Sequence, residues 1–258
     1  MQNEIAAILT SIATFLLYKF FSKIIPVSSS WYTTDKSLAL LKIKYRVFEI
    51  KYISLTFLST AALAFFFFQL FQLITDSRTE GIDDARILIK PDMAILLLPA
   101  VFDGLLVSAI LAPIFGERHL QNDWNEYMAY NNLKYKFNYQ KGMTYILRFV
   151  GILVIPMTIF ALDMYSSFGE HSIKLNPFLG IGVKTYNYSA ISSLSRVMKV
   201  KAPNGDILNE PHVVIKFKDG AEWSTRSDGF DDEQKNQEII DLVASKTKKQ
   251  ITTQEFAE

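Results

Sequence analysis

The stretch from Tyr52 to Ile74 reads YISLTFLSTAALAFFFFQLFQLI, which is 23 residues without a charged side chain. A bilayer core of about 30 Å requires about 20 mostly apolar helical residues, because each residue of an α-helix rises by about 1.5 Å. The stretch therefore predicts a membrane-spanning helix. It also decides the class of fold, a membrane-embedded α-helical bundle.

Two later segments predict further spans. Residues 93–115 contain Asp103 near their midpoint and two prolines, which membrane helices tolerate when neighbouring groups satisfy the freed carbonyls. A re-entrant segment is the alternative for these residues. Residues 145–165 are apolar except for Arg148 and Asp163, and Arg148 lies near one end, from which its side chain can reach the interface.

The N-terminal segment is a weaker candidate for a span. Ile5–Tyr18 carries no charge, but Lys19 and Lys23 follow it. A signal peptide has its charges before the apolar run, so the sequence predicts an uncleaved helix over residues 5–27. An amphipathic helix lying in the membrane plane is the alternative. The helical domain is thus predicted over residues 1–165, with three to four spans.

The distribution of Lys and Arg predicts the orientation. The segments 28–51 and 116–144 together contain nine Lys and Arg residues, whereas segment 75–92 contains three. Because cytoplasmic loops are enriched in Lys and Arg, the nine-residue side is predicted to be cytoplasmic. The sequence therefore predicts a multi-pass protein of the cell (inner) membrane whose C-terminal region lies outside the cytoplasm.

The hydrophobic period changes after residue 165. Residues 171–176 and 183–188 alternate between apolar and polar side chains, as half-buried strands do. The turn Lys218-Asp219-Gly220 separates residues 213–217 from residues 221–225, which predicts a β-hairpin with Trp223 facing inward.

A final helix is predicted to begin near Asp231-Asp232 and to run to Lys249. Aspartate caps the N-terminus of a helix, and lysines near its C-terminus complement the helix dipole. Residues 166–258 are therefore predicted to form a soluble α+β domain that folds without the helical bundle.

Three stretches of this domain carry a resemblance to a known group of proteins: Ile173 to Phe178 (IKLNPF), Tyr186 to Ile191 (YNYSAI) and Ile215 to Trp223 (IKFKDGAEW). These sequences resemble those of bacterial polytopic membrane proteins in which a pleckstrin-homology-like (PH-like) domain follows a helical bundle. The resemblance covers residues 172–249 and implies a PH-like β-barrel capped by one helix. It implies no activity.

Asp103 and Arg148 are the candidate intramembrane functional residues. An ionisable group near the bilayer centre costs about 2.5–3.5 kcal/mol on insertion scales, so Asp103 requires a partner or hydration. Arg148 of the next span is a candidate partner in a structural ion pair. An ion or proton path lined by Asp103 is the alternative. Gln69 and Gln72 are three residues apart and are predicted to hydrogen-bond between helices.

Other chemistry finds no support in the sequence. The net charge of +1 argues against nucleic-acid binding, and the chain has no cysteine. The three histidines, His119, His171 and His212, do not have the spacing of metal ligands. Residues 231–233 lack the alternating oxygen ligands of a calcium loop. We therefore expect no enzyme activity, no cofactor and no metal.

Two functional hypotheses follow. The first is a non-enzymatic module in which the bundle holds the PH-like domain at the lipid bilayer for binding to a protein partner. An immunity protein against a secreted toxin and a subunit of a membrane defence or sensor complex both belong to this class. The second is an ion channel or transporter, in which a homo-oligomer surrounds a path lined by Asp103.

Overall fold

The computed structural model describes residues 19–20, 22–30, 32–82, 84–180, 182–202, 205–227 and 232–256. Within these ranges, three helical segments are long and apolar enough to cross a membrane, and they indicate a membrane-embedded protein. The predicted first span, residues 5–27, falls mostly outside the described residues. The α-helices of more than ten residues are α1 (Leu38–Glu80), α2 (Met93–Leu120), α3 (Trp124–Tyr135), α4 (Tyr139–Asp163) and α5 (Glu233–Thr247).

Two of the helices differ from the predicted segments. Helix α1 has 43 residues and continues without a break through Lys51. Most of the basic segment 28–51 therefore belongs to the same helix as the predicted span over residues 52–74. Helix α2 is continuous over 28 residues, which excludes the re-entrant alternative for residues 93–115. Its prolines are accommodated inside a regular helix.

The chain forms two compact units. One comprises Met1–Ala64 and Phe102–Val154, and the other comprises Phe65–Val101 and Ile155–Glu258. The first unit has an aromatic core between the start of α1 and α3, in which Tyr45 and Tyr130 are each 1 % exposed. Trp124 and Tyr127 are buried in the same cluster. These aromatic side chains fill a protein core.

Ion pairs surround this aromatic core. Lys44 Nζ lies 2.6 Å from Glu126 Oε1, and Lys134 Nζ lies 2.6 Å from Glu49 Oε1. Lys36 pairs with Glu126 as well. Lys36 and Lys44 of the basic segment 28–51 therefore bind acidic side chains of the first unit.

The second unit contains the first of two sheets. Its strands are β1 (Ala85–Ile89), β2 (Tyr165–Gly169), β3 (Ser172–Asn176) and β4 (Lys184–Asn187), in the antiparallel order β1-β2-β3-β4. Strand β1 belongs to the segment that connects α1 to α2. Because β1 pairs with β2, that connecting segment and the C-terminal domain lie on the same side of the membrane.

The second sheet consists of β5 (Ile191–Lys201), β6 (Ile207–Phe217), β7 (Glu222–Ser224) and β8 (Thr252–Phe256), in the order β7-β6-β5-β8. The β6-β7 pair confirms the predicted hairpin, with Ile215 opposite Trp223. Strand β8 runs parallel to β5 at the sheet edge and was not expected from the sequence.

Both sheets and α5 share one hydrophobic core. Phe168, Ile173, Ile215 and Ile239 are fully buried in it, and Trp223 is 3 % exposed. Asp232 caps α5 as predicted, because its side chain accepts hydrogen bonds from Gln234 N and Lys235 N. In the described part of the chain neither sheet closes into a barrel, so the predicted PH-like barrel is not confirmed.

Candidate functional site

Asp103 lies in α2 and is half-buried, while Arg148 lies in α4 with an exposed side chain. Among the described residues, no ion pair joins Asp103 to Arg148. The structure thus places both residues on helices that can span a membrane, but it does not bring them together as a salt bridge.

The residue next to Asp103 marks a close helix crossing. A Cβ atom added to Gly104 would lie 2.6 Å from Ala64 N and 2.9 Å from Thr60 O. One turn further along α2, Ser108 Oγ donates a hydrogen bond to Thr56 O at 3.1 Å. Small residues allow the backbones of α1 and α2 to touch here, as they do in other membrane bundles.

The two glutamines that were expected to hydrogen-bond between helices make no such bond among the described residues. Neither Gln69 nor Gln72 makes a hydrogen bond within the described ranges, and Gln69 is exposed. The polar contacts between α1 and α2 are made instead by Ser59, Ser108 and the carbonyl of Thr56. Gln72 lines a cavity of the second unit.

This cavity has a volume of about 620 Å³. Its walls come from the last turns of α1, the segment from β1 to α2, the start of α2 and the start of α5. The lining residues are Gln72, Thr75, Asp76, Leu88, Lys90, Pro91, Asp92, Met93, Leu96, Asp232 and Lys235. Sites for small molecules commonly have volumes of about 300–1,000 Å³, a range that includes this cavity, but they are mostly apolar. The lining of this cavity is mainly polar instead, and it includes five charged side chains.

The charged groups of the cavity are partly neutralised. Lys90 Nζ lies 2.8 Å from Asp76 Oδ1. Asp92 Oδ1 accepts a hydrogen bond from Met93 N at 2.6 Å at the start of α2. Asp232 Oδ1 accepts bonds from the first turn of α5 at 3.0 and 3.2 Å. Asp232 therefore caps α5 through one carboxylate oxygen, whereas Asp92 accepts only the N–H of the residue that follows it.

One buried polar group of the cavity wall has no partner. The Thr75 side chain is 3 % exposed, and its hydroxyl makes no hydrogen bond within the part of the chain that the structure describes. A buried hydroxyl without a partner costs about 1–3 kcal/mol. Such a group in a folded protein calls for an explanation, of which an unseen water or ligand is one.

A polar cluster at the end of α4 joins the helices to the first sheet. Asn176 Nδ2 of β3 donates hydrogen bonds to Asp163 O at 2.6 Å and to Asp163 Oδ2 at 2.8 Å. Arg78 of α1 pairs with the same carboxylate. Phe178, just after β3, packs against the helical core around Phe71. The β domain is therefore attached to the helix ends by both polar and apolar contacts.

A second polar cluster joins three elements of the β domain. Glu170, in the turn between β2 and β3, pairs with Lys246 of α5 and with Arg86 of β1. The hydrogen bond from Lys246, with the positive charge of Arg86, holds the pKa of the Glu170 carboxyl below its usual range.

Metal ligands are not grouped in this structure. Among the described residues, no three His, Cys, Asp or Glu side chains lie close enough together to hold an ion. Comparison with protein-family models, with curated proteins and with solved structures finds no match to this chain. The geometry of the chain itself is therefore the basis for a functional proposal.

Proposed function

We propose that this protein is a non-enzymatic, membrane-anchored binding module that presents its β domain to a protein partner. The observation that carries the proposal is the attachment of β3 to the helix ends through Asn176 and Asp163. These part-buried hydrogen bonds restrict the movement of β3 against the end of α4, which reduces the entropy lost when a partner binds.

The β domain also has an exposed apolar surface. Ile207, Leu208 and Phe256 are 61 %, 46 % and 37 % exposed. They lie at one end of the second sheet, because Lys201 pairs with Ile207, Val200 pairs with Leu208, and Lys199 of β5 lies opposite Phe256. Because successive side chains of a strand point to opposite faces, Ile207 and Phe256 lie on one face of this sheet end and Leu208 lies on the other. Exposed apolar side chains at such an end are typical of protein interaction sites.

The proposal extends to fold type and orientation. Two sheets that share one core, with a helix packed against it, support a PH-like domain. The nine Lys and Arg residues of segments 28–51 and 116–144 support a domain outside the cytoplasm of the inner membrane. An immunity protein against a secreted toxin and a subunit of a defence or sensor complex both fit this arrangement.

Co-purification tests the proposal. The tagged full-length chain is cross-linked in cells and purified in detergent, alongside the double variant Ile207→Ser/Leu208→Ser and the matched variant Val183→Ser. Val183 is 47 % exposed and lies next to β4 of the other sheet. We expect a defined partner with the parent and with Val183→Ser, and its loss with the double variant. A parent that carries no stoichiometric protein would contradict a partner-binding module.

The second candidate is conduction through an oligomer. The half-burial of Asp103 in a helix that can span the membrane favours it, because fixed carboxylates attract cations in pores. A current through the purified protein that depends on Asp103 would support this alternative over the first proposal.

A further inference from the structure

The turn that follows β3 lies against the ends of the apolar helices. Asn176, the last residue of β3, donates hydrogen bonds to Asp163 at the end of α4. Two residues later, Phe178 packs against an apolar cluster formed by the helices. The buried members of this cluster are Phe71, Leu96, Ala100 and Ala161. The chain therefore passes from the polar end of α4 to the apolar layer beside it.

This apolar cluster lies inside the runs that a bilayer covers. Phe71 lies three residues before the end of the charge-free run of α1, and Ala161 lies two residues before the last residue of α4. At a rise of about 1.5 Å per residue, both positions are about 3–5 Å inside the ends of their apolar runs. The hydrocarbon of a bilayer, about 30 Å thick, surrounds such runs. Phe178 therefore marks the boundary between hydrocarbon and headgroups, and the Cα atom of Leu179 follows at about 4 Å.

Leu179 is an exposed apolar residue with an unusual backbone conformation. Its side chain is 65 % exposed. The turn is closed by a hydrogen bond from Gly180 N to Pro177 O at 2.8 Å, and Leu179, its third residue, has a φ of +66°. Glycine and asparagine favour this position, whereas a bulky side chain is rare there because its Cβ crowds the backbone. Such a conformation persists where the side chain makes a compensating contact, and the exposure of Leu179 leaves most of its surface available for one.

The sequence on both sides of the turn has the charge pattern of a membrane boundary. Lys174 and Lys184 are the nearest charged residues, and the nine residues between them carry no charge. The two lysines lie at the base of the β3-β4 pair, where Leu175 is opposite Lys184 and Lys174 is opposite Thr185. Lysine side chains at such a boundary keep their ammonium groups among the headgroups, while apolar side chains enter the hydrocarbon.

We propose that the Leu179 side chain inserts into the hydrocarbon of the bilayer and attaches the β domain directly to lipid. Burial of an exposed leucine in hydrocarbon is favourable and offsets the cost of its left-handed backbone. Lipid thus forms a second attachment of the β domain, beside the hydrogen bonds of Asn176 to α4. This inference rests on the membrane-spanning helices and does not depend on the partner-binding proposal.

Fluorescence quenching of the full-length protein tests the insertion. The chain has no cysteine, so Leu179→Cys and the control Leu208→Cys each accept a single fluorophore. Leu208 is also an exposed leucine of the β domain, at 46 %, but it pairs with Val200 at an end of the second sheet. Both proteins are placed in nanodiscs of phosphatidylcholine and phosphatidylglycerol. We expect iodide to quench the probe at position 179 several-fold less than the probe at position 208, because ions are excluded from hydrocarbon. Nitroxides on the acyl chains should show the opposite order.

Two other quenching results would overturn the proposal. Equal iodide quenching at both positions would place Leu179 in water. Protection from iodide without quenching by the acyl-chain nitroxides would mean that a protein surface, such as a second copy of this chain, covers the residue instead of lipid.

Substitution by asparagine provides a second test, in which the direction of the change decides. Asparagine tolerates the left-handed backbone better than leucine does, so Leu179→Asn should raise the melting temperature if this side chain lies in water. In hydrocarbon the amide loses its hydrogen bonds to water, so we expect Leu179→Asn to melt below the parent in the same nanodiscs. The control is Lys248→Asn, because Lys248 is an exposed residue with a φ of +52° after the last turn of α5. This control should melt at or above the parent. A Leu179→Asn variant that also melts at or above the parent would reject insertion into the bilayer.

Discussion

Asn176 of β3 donates two hydrogen bonds from one side-chain amide to Asp163, the last residue of α4, at 2.6 Å and 2.8 Å. Asn176 is 2 % exposed. The same carboxylate pairs with Arg78 of α1. A single asparagine therefore connects the first sheet to a cluster that includes two apolar helices.

Replacing this asparagine should destabilise the protein. Asn176→Ala removes both hydrogen bonds and leaves the part-buried carbonyl of Asp163 with fewer partners, so we expect a loss of about 1–3 kcal/mol in the free energy of unfolding. Thermal melting of the full-length protein in detergent measures the effect. Asn187→Ala, at an exposed position of β4, should stay within about 0.5 kcal/mol of the parent. Equal melting temperatures for both variants would contradict a structural role for the cluster.

Two helical glycines provide a matched test of the α1-α2 crossing. A Cβ at Gly104 would lie 2.6 Å from Ala64 N, whereas a Cβ at Gly151 would meet only Leu106 Cδ2 at 3.8 Å. Both substitutions by alanine favour the helical backbone equally, so the steric difference remains. We expect Gly104→Ala to cost about 1–3 kcal/mol through overpacking and Gly151→Ala to cost nothing. A melting temperature of Gly104→Ala at or above that of Gly151→Ala would show that α1 and α2 do not touch there.

Asp103 separates the two functional hypotheses. If the carboxylate is structural, Asp103→Asn keeps a hydrogen-bonding side chain of nearly the same shape and should leave insertion and partner binding unchanged. If it lines a path, the same variant should insert normally but lose or change ion flux. We expect the structural outcome. Electrical recordings on lipid bilayers with equal amounts of inserted protein make the comparison, and a parental current that Asp103→Asn abolishes would establish the conduction alternative.

Trp223 tests the packing of the two sheets. Its ring lies 4.9 Å from that of Phe168 on the first sheet, and its Nε1 donates a hydrogen bond to Ser166 Oγ at 3.0 Å. Trp223→Ala should cost about 3–5 kcal/mol as a large-to-small core change. Trp223→Phe keeps an aromatic ring and should cost less. The free energy of unfolding of the full-length protein checks both, and a Trp223→Ala variant as stable as the parent would exclude a shared core.

The lowered pKa of Glu170 leads to a prediction about how the stability of the protein depends on pH. Its pKa is lowered in the folded protein by the hydrogen bond from Lys246, so its contribution to stability is complete above the ordinary glutamate pKa and is lost as the pH falls through the lower folded value. Glu170→Gln should therefore melt below the parent near pH 7, with the difference shrinking at pH values below about 4. The control is Glu238→Gln, an exposed position of α5 without an ion pair in the described part of the chain. A melting difference that does not change with pH would contradict the assignment.

The attachment of β1 bears on the independence of the C-terminal domain. Residues 166–258 were predicted to fold without the bundle, but Ile89 of β1 is 1 % exposed within the common core. A fragment without β1 exposes the edge of β2 and the surface that Ile89 covers. We expect a soluble fragment of residues 166–258 to melt below the same domain in the full-length protein.

Local signals account for the elements that the sequence predicted well. The charge-free run of residues 52–74, the turn at Lys218-Asp219-Gly220 and the cap at Asp232 each act over a few neighbouring residues. A helix, a hairpin and a helix start follow from such signals because their hydrogen bonds join residues close in the chain. The five residues of β1 carry no comparable signal. They lie in a segment rich in charged residues, and their backbone hydrogen bonds are completed only by pairing with β2.

The sequence by itself thus determined three of the predicted membrane spans, the β6-β7 hairpin and the start of α5, because length, charge and turn chemistry are properties of the local chain. The tertiary structure decided that β1 joins β2, that β8 lies parallel to β5, that Asn176 binds Asp163 and that Thr75 lines a cavity with Asp92 and Asp232. Those contacts join residues far apart in the chain. Their partners are selected by packing and hydrogen-bond satisfaction in three dimensions, which no local pattern encodes.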